Sequence, residues 1–329
     1  MNRILVIRGG AIGDFILTLP ALKALREAYP DAHIEILGYK HIAVLSENRF
    51  YAQAVRSIEY GPLSGFFAKN SELPAELADY FASFDLIISY LYDPDGIFES
   101  NLRRCGVKNL LCGPAKIVET NHAARQLARP IEELGIKVVD LTEKIFLAEE
   151  DRQFGRELLQ TLSQPIVAIH PGSGSEEKNW PVQNWIELLS REHWHVEKRP
   201  SLIVISGEAD NAQTAQLEHT WKDQDIRFAK SLPLPHLAGV LEHSIFIGHD
   251  SGISHLAAAA GANSILLFGP TDPGVWAPRN KNVQVLRARN GKVNDLEIAL
   301  VQAALTRALH AGSKPVNQGL QQDVEFFRP

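Results

Sequence analysis

The sequence is short of cysteine, of net positive charge and of long apolar runs, and each shortage excludes a class of protein. Two cysteines, Cys105 and Cys112, occur in 329 residues, with no histidine at ligand spacing beside them. Neither a disulfide framework nor a structural zinc site organises such a chain, and a reducing cytosolic setting is the default. The formal net charge of -6 leaves no basic footprint for nucleic acid. No apolar stretch approaches the roughly 20 residues of a membrane span, and the strand signal at Arg3 leaves no room for the apolar core of a signal peptide. No polybasic amphipathic helix is present either, so any contact with a membrane surface is expected to be weak and peripheral. Short-period repeats and low-complexity tracts are also missing, apart from a polar tail from Gly312.

What remains is an alternation of short apolar strands and helices. At 329 residues the chain exceeds the roughly 250–300 at which single cores stop growing, so two domains are expected. Arg3 to Arg8, Ile34 to Leu37 and Phe84 to Tyr90 read as buried strands. Phe15 to Tyr29 reads as an amphipathic helix with Leu17, Ala21, Leu25 and Ala28 on one stripe. The pattern restarts after Pro165, with strands at Ile166 to His170 and Leu202 to Ser206 and a helix from Trp185 to Arg191. Apolar strands alternating with helices imply parallel sheets covered on both faces. The expected architecture is α/β, two doubly wound sheets in tandem, with domains over 1–155 and 156–311 and a tail over 312–329. The helix from Asp295 to Leu309 closes the second unit and is expected to reach back over the first.

The most informative stretch is Gly248 to Pro273, GHDSGISHLAAAAGANSILLFGPTDP. It reads as the end of one strand, a tight loop, a helix stopped by Gly261, a second strand and a loop. A loop of this kind presents backbone N–H groups at a helix N-terminus, where a phosphate or pyrophosphate binds. Gly252 permits close approach, Ser251 caps the helix or binds an oxygen, and His255 lies one turn further along. An ordinary strand–turn–helix with a capping Asp250–Ser251 pair fits the same residues.

Two further loops carry chemistry. Gly9 to Asp14 follows the first strand, but a G-x-G-x-x-G dinucleotide fingerprint would need glycine at Arg8, and no acid ends the second strand, where Gly38-Tyr39-Lys40 follows. What the loop supplies is Asp14, between the glycines Gly10 and Gly13 and a helix, where open α/β sheets bind ligands. There a carboxylate takes a proton from a hydroxyl, or merely caps the helix. The second loop is HPGSGSEEKNWP, with Ser173 in the turn and Lys178 as a point charge for phosphate. Trp180 reads as packing. After the next strand, Glu208 or Asp210 binds ribose hydroxyls or caps a helix. Asp93-Pro94-Asp95 reads as a turn rather than a metal site.

Three blocks together resemble glycosyltransferase family 9, the heptosyltransferases of lipopolysaccharide core assembly: RGGAIGDFILTLPALKALR, HPGSGSEEKNWP and GHDSGISHLAAAAGANSILLFGPTDP, in that order over Arg3 to Pro278. The resemblance implies a GT-B fold, two Rossmann-like domains facing across a cleft. It implies an acceptor-binding first domain and a second domain that holds a nucleotide-activated sugar, typically ADP-heptose, with no further cofactor or metal. In it Asp14 matches the catalytic base and Lys178 the phosphate-binding lysine. Asp250, Ser251, Gly252 and His255 match the donor motif D-[ST]-G-x-x-H, and Asp210 falls near the acid that contacts the ribose. The implied reaction is an inverting transfer to a saccharide or glycolipid hydroxyl on the cytoplasmic side. Alternatives on the same architecture are a nucleotide-sugar epimerase and a non-catalytic nucleotide-sugar-binding relative. The chain departs from the family pattern at His249, and Tyr60 to Asn121, where acceptor contacts are expected, matches no motif.

Overall fold

A computed structural model describes residues 1–190, 199–207, 211–222 and 226–312. The first sheet is built from β1 (Arg3–Arg8), β2 (His33–Gly38), β3 (Ala54–Ser57), β4 (Leu86–Ser89) and β5 (Leu110–Cys112) in the order β3-β2-β1-β4-β5. The second contains β6 (Ile166–His170), β7 (Ser201–Ser206), β8 (Ile226–Lys230), β9 (Ile245–His249), β10 (Asn263–Phe268) and β11 (Val283–Arg287) in the order β11-β10-β9-β6-β7-β8. Every pairing is parallel. The strand order reverses between β1 and β4 in one sheet and between β6 and β9 in the other. Crevices open at such reversals, at the carboxyl ends of the strands, and all three recognised loops lie there.

The helices are α1 (Ile12–Ala28), α2 (Lys40–Ala43), α3 (Ala75–Ala82), α4 (Ile97–Arg104), α5 (Ala123–Leu127), α6 (Arg129–Glu133) and α7 (Glu149–Leu159) in the first half. They continue as α8 (Val182–Leu188), α9 (Asn211–Thr220), α10 (Leu234–Leu241), α11 (Gly252–Ala260), α12 (Pro273–Trp276) and α13 (Ile298–Gly312). Both faces of central strands such as β1 and β4 are apolar, because the strand period is two and both sets of alternate residues are mainly aliphatic. In β1, Ile4 and Val6 face one core while Leu5 and Ile7 face another. The core that receives Ile4 and Val6 runs without a break through α1 and α11 to Ala168, Leu266 and Phe268 of the second sheet. Two outer cores, one under α3 and α4 and one under α8 and α13, close the far faces.

The two domains thus meet helix on helix, α1 against α11. This corrects the expected amphipathic α1. Phe15 through Leu22 is buried all round, because one side meets the first sheet and the other meets the second domain, while Ala28 is exposed. A second pair, α7 on α10, packs close enough that a β-carbon on Gly155 would collide with the Gly239 carbonyl oxygen. Helix α13 packs on α8, β10 and β11 of the second domain. The tail from residue 313 lies outside the described residues, and among those described no helix is long and apolar enough to cross a membrane.

Candidate active site

Asp14 stands in the first turn of α1, at the reversal of the first sheet. Gly10, at φ +95°, bends the chain so that the Ala11 N–H donates to Asp14 Oδ2 at 3.0 Å. A β-carbon on Gly10 would lie 2.8 Å from that oxygen, so the turn requires glycine. Arg8, the residue that broke the dinucleotide fingerprint, is buried beneath. Its guanidinium donates to the Asp14 carbonyl at 3.0 Å and to Thr18 Oγ1 at 3.0 Å, and stands 3.6 Å from Asp14 Oδ1. Burial lowers the Arg8 pKa, and Asp14 and then Tyr90 act against that shift. The Asp14 side chain keeps 36% of its surface open, so its free edge reaches the cleft while its backbone is clamped.

A cavity of about 430 Å³ adjoins this carboxylate, lined among others by Tyr39, Glu59, Phe67, Tyr90 and Tyr92. Three of these rings come from the segment Tyr60 to Asn121 in which no motif was legible. The Asp93-Pro94-Asp95 turn is a turn: Asp93 accepts from the Phe98 and Glu99 N–H groups and caps α4.

The opposite lip is the N-terminus of α11. Ser251 caps it, accepting from the Ser254 N–H at 3.4 Å, and Gly261 ends it at φ +104°. Asp250 accepts from Lys178 Nζ and from Thr271 Oγ1, each at 2.7 Å. Three separate loops, after β6, β9 and β10, are thereby tied at one carboxylate. Ser173 closes its own turn, its hydroxyl donating to the Ser175 carbonyl at 2.9 Å. His249, the departure from the family pattern, is fully buried and accepts the Trp180 N–H at 2.8 Å, which anchors the end of the Lys178 loop. Trp180 is packing, as its sequence context suggested: its indole is buried and donates to the Leu296 carbonyl. Glu208 and Asp210 lie outside the described residues.

The lips touch at two glycines. A β-carbon on Gly252 would lie 2.9 Å from the Gly13 nitrogen and 2.7 Å from Ile12 Cβ. His255 sits directly behind this contact, buried, with Nδ1 2.9 Å and 3.0 Å from the two oxygens of Glu143. Burial opposes a charge on this ring, but Glu143 overrides it, with smaller help from Asp250 and Asp14, and the pKa is raised. His255 is therefore a buried ring whose Nδ1 is already engaged by Glu143, not a surface side chain. Arg8, Glu143, His249 and Thr271 were not singled out as functional residues in the sequence, because each works through tertiary contacts that no local spacing announces.

The family model of glycosyltransferase family 9 (heptosyltransferase) matches residues 114–302. The chain belongs to glycosyltransferase family 9. This glycosyltransferase is 24% identical to lipopolysaccharide heptosyltransferase 3 of Escherichia coli over 299 residues, 82% of this chain and 84% of that protein. Its fold is similar to the crystal structure of the family 9 glycosyl transferase from Veillonella parvula DSM 2008, with a TM-score of 0.77 and 19% identity over 94% of this chain and 97% of that one. The E. coli ADP-heptose LPS heptosyltransferase II superposes with a TM-score of 0.75 and 14% identity, covering 95% and 100% of the two chains. The two parallel-sheet domains of this glycosyltransferase are accordingly a GT-B pair, and its Asp14 loop precedes the residues that the family model matches.

Proposed function

We propose that this glycosyltransferase moves heptose from an ADP-linked donor to a hydroxyl of a lipopolysaccharide-core saccharide, with inversion at the anomeric carbon. One observation carries the reading: the Asp14 turn and the Ser251 turn meet at Gly13 and Gly252. A base and an anion cradle in one seam suit a displacement in which a proton leaves one reactant as negative charge grows on the other. Asp14 removes the proton of the acceptor hydroxyl as its oxygen attacks the anomeric carbon. The bond to the diphosphate breaks on the opposite face, and the amides at the start of α11 with Lys178 stabilise the charge that develops. The acceptor sugar occupies the aromatic cavity beside Asp14, where tyrosine and phenylalanine rings pack against apolar sugar faces. Thr271 and Asp250 hold Lys178 at the diphosphate. Work on a lipid-linked acceptor places the enzyme at the cytoplasmic face of the membrane, with weak peripheral contact at most. Neither an epimerase nor a binding-only relative is favoured by the site or by the relatives.

The test is a thermal-shift panel of ADP-, GDP- and UDP-sugars followed by transfer assays with the stabilising donor. Selective stabilisation by ADP-heptose, about 2.7 kcal/mol at a hundred times its dissociation constant, supports the reading. Selective stabilisation by a UDP-sugar, or sugar conversion without acceptor, overturns it.

A further inference from the structure

Glu143 belongs to none of the three motifs, yet it is among the most completely buried charged side chains of the protein, at 0% exposure. It lies in the connector between the last helix of the first domain and α7. Its backbone is pinned from both sides by Asn280, which accepts the Glu143 N–H at 3.2 Å and donates to the Glu143 carbonyl at 2.8 Å. The same Asn280 amide donates to the Ala258 carbonyl of α11, and the Ile145 N–H donates to that of Ala259. The connector is therefore strapped along α11, and this strap delivers the carboxylate to His255.

The ring is held from one side only. Nδ1 faces Glu143, whereas the opposite edge faces the seam: His255 Cδ2 would lie 3.3 Å from a β-carbon on Gly13. Among the described residues Nε2, on that edge, has no hydrogen-bond partner in the protein. A ring nitrogen without a protein partner, on the edge turned to where two helix N-termini meet, is a donor free to take an acceptor from a ligand.

We propose that Glu143 is a positioning residue of the donor site: by taking the Nδ1–H of His255 it fixes the ring so that Nε2–H donates to the diphosphate of the sugar nucleotide. The inference rests on the α11 turn being the diphosphate site. The groups that set the ring's charge are Glu143 from the connector, Asp250 from the β9 loop and Asp14 from α1, all favouring the imidazolium against burial. His122, preceding α5, is close enough for the two rings to repel. A charged ring donates from both nitrogens at once, which a neutral ring cannot do.

Calorimetric titration of the full chain with ADP tests this. Glu143→Gln keeps the shape and an acceptor for Nδ1–H but removes the charge. Its ADP affinity is expected to fall about tenfold or more against wild type near pH ~8, the size of a lost hydrogen bond to a charged group. The deficit should narrow as pH drops through the ordinary histidine range near ~6.5, and Glu143→Asp should recover part of it at the higher pH. A deficit that is the same at every pH, or none at all, overturns the proposal. Should the variants not fold, ¹⁵N-histidine NMR of the wild-type chain decides. His255 should carry protons on both nitrogens near pH ~7, with the Nε2 resonance moving on addition of ADP. A neutral ring, or an Nε2 resonance that ADP leaves in place, sinks the idea. Failure of wild type to bind ADP is a separate result, which removes the donor-site reading and this inference with it.

Discussion

Gly13 and Gly252 press backbone to backbone across the domain seam, with the Gly13 nitrogen 2.9 Å from where a β-carbon on Gly252 would stand. Gly252 has no room for a methyl group on the facing side, and one on Gly13 would press on His255 Cδ2 at 3.3 Å, so the seam sets how closely the two turns approach. Gly252→Ala should push α11 away from Ile12 and cost about 1–3 kcal/mol as an overpacked contact. Denaturant unfolding reads the stability change. Transfer should fall more steeply than ADP affinity, because the ADP cradle moves as a unit while its distance from Asp14 grows. Wild-type kcat in the alanine variant would show that the glycines separate during turnover.

Asp14→Asn leaves an oxygen to accept from Ala11 and should therefore fold normally. Losing a general base costs typically about 10²–10⁴-fold in rate. The expected result is a kcat reduced by that order with ADP affinity unchanged. Transfer at the normal rate would exclude Asp14 as the base.

His249→Leu removes the acceptor of the Trp180 N–H, which is then buried without a partner. A loss of about 1–3 kcal/mol is expected, read as a lower urea midpoint. Because Trp180 ends the Lys178 loop, donor KM should rise in this variant as well. Unchanged stability would mean that another acceptor replaces the ring.

Two histidines at the seam titrate in opposite senses. His122 is buried, with Nδ1 accepting from the Ala124 N–H and Nε2 donating to the Ala277 carbonyl. Burial, against the pull of that carbonyl, lowers its pKa to about 4. Between the ordinary value near ~6.5 and that value the unfolded chain binds the proton and the folded chain does not. Stability therefore falls as pH drops through this window, by on the order of 3 kcal/mol in full. For His255, with a raised folded-state pKa, the contribution is complete below ~6.5 and is lost as pH rises through the raised value. Unfolding free energies measured from pH ~4 to ~9 should show both slopes. His122→Gln should flatten the acidic one and leave the other in place; an unaltered acidic slope would contradict the assignment.

The central strands were legible because each is an unbroken aliphatic run between turn residues. The boundaries of β1 and β6 match the sequence reading residue for residue. The edge strands β3, β5, β8 and β11 were not seen. Edge positions are only half covered, so AVRS and LLC are too short, and IRFAK and VQVLR too interrupted by polar residues, to stand out. The caps of α11 at Ser251 and Gly261 were readable for the opposite reason, since a helix end is a local problem solved by local residues.

By itself the sequence determined the class of fold, the glycine turns and the helix N-termini that mark the two lips, since these follow from periodicity and backbone freedom within a few residues. Only the tertiary structure decided what stands behind each loop: Arg8 under Asp14, Thr271 and Lys178 at Asp250, His249 under Trp180, Glu143 behind His255. The partners in that last pair lie 112 positions apart. Such pairings depend on which strands are neighbours and how the two sheets face, and no local rule of spacing encodes that.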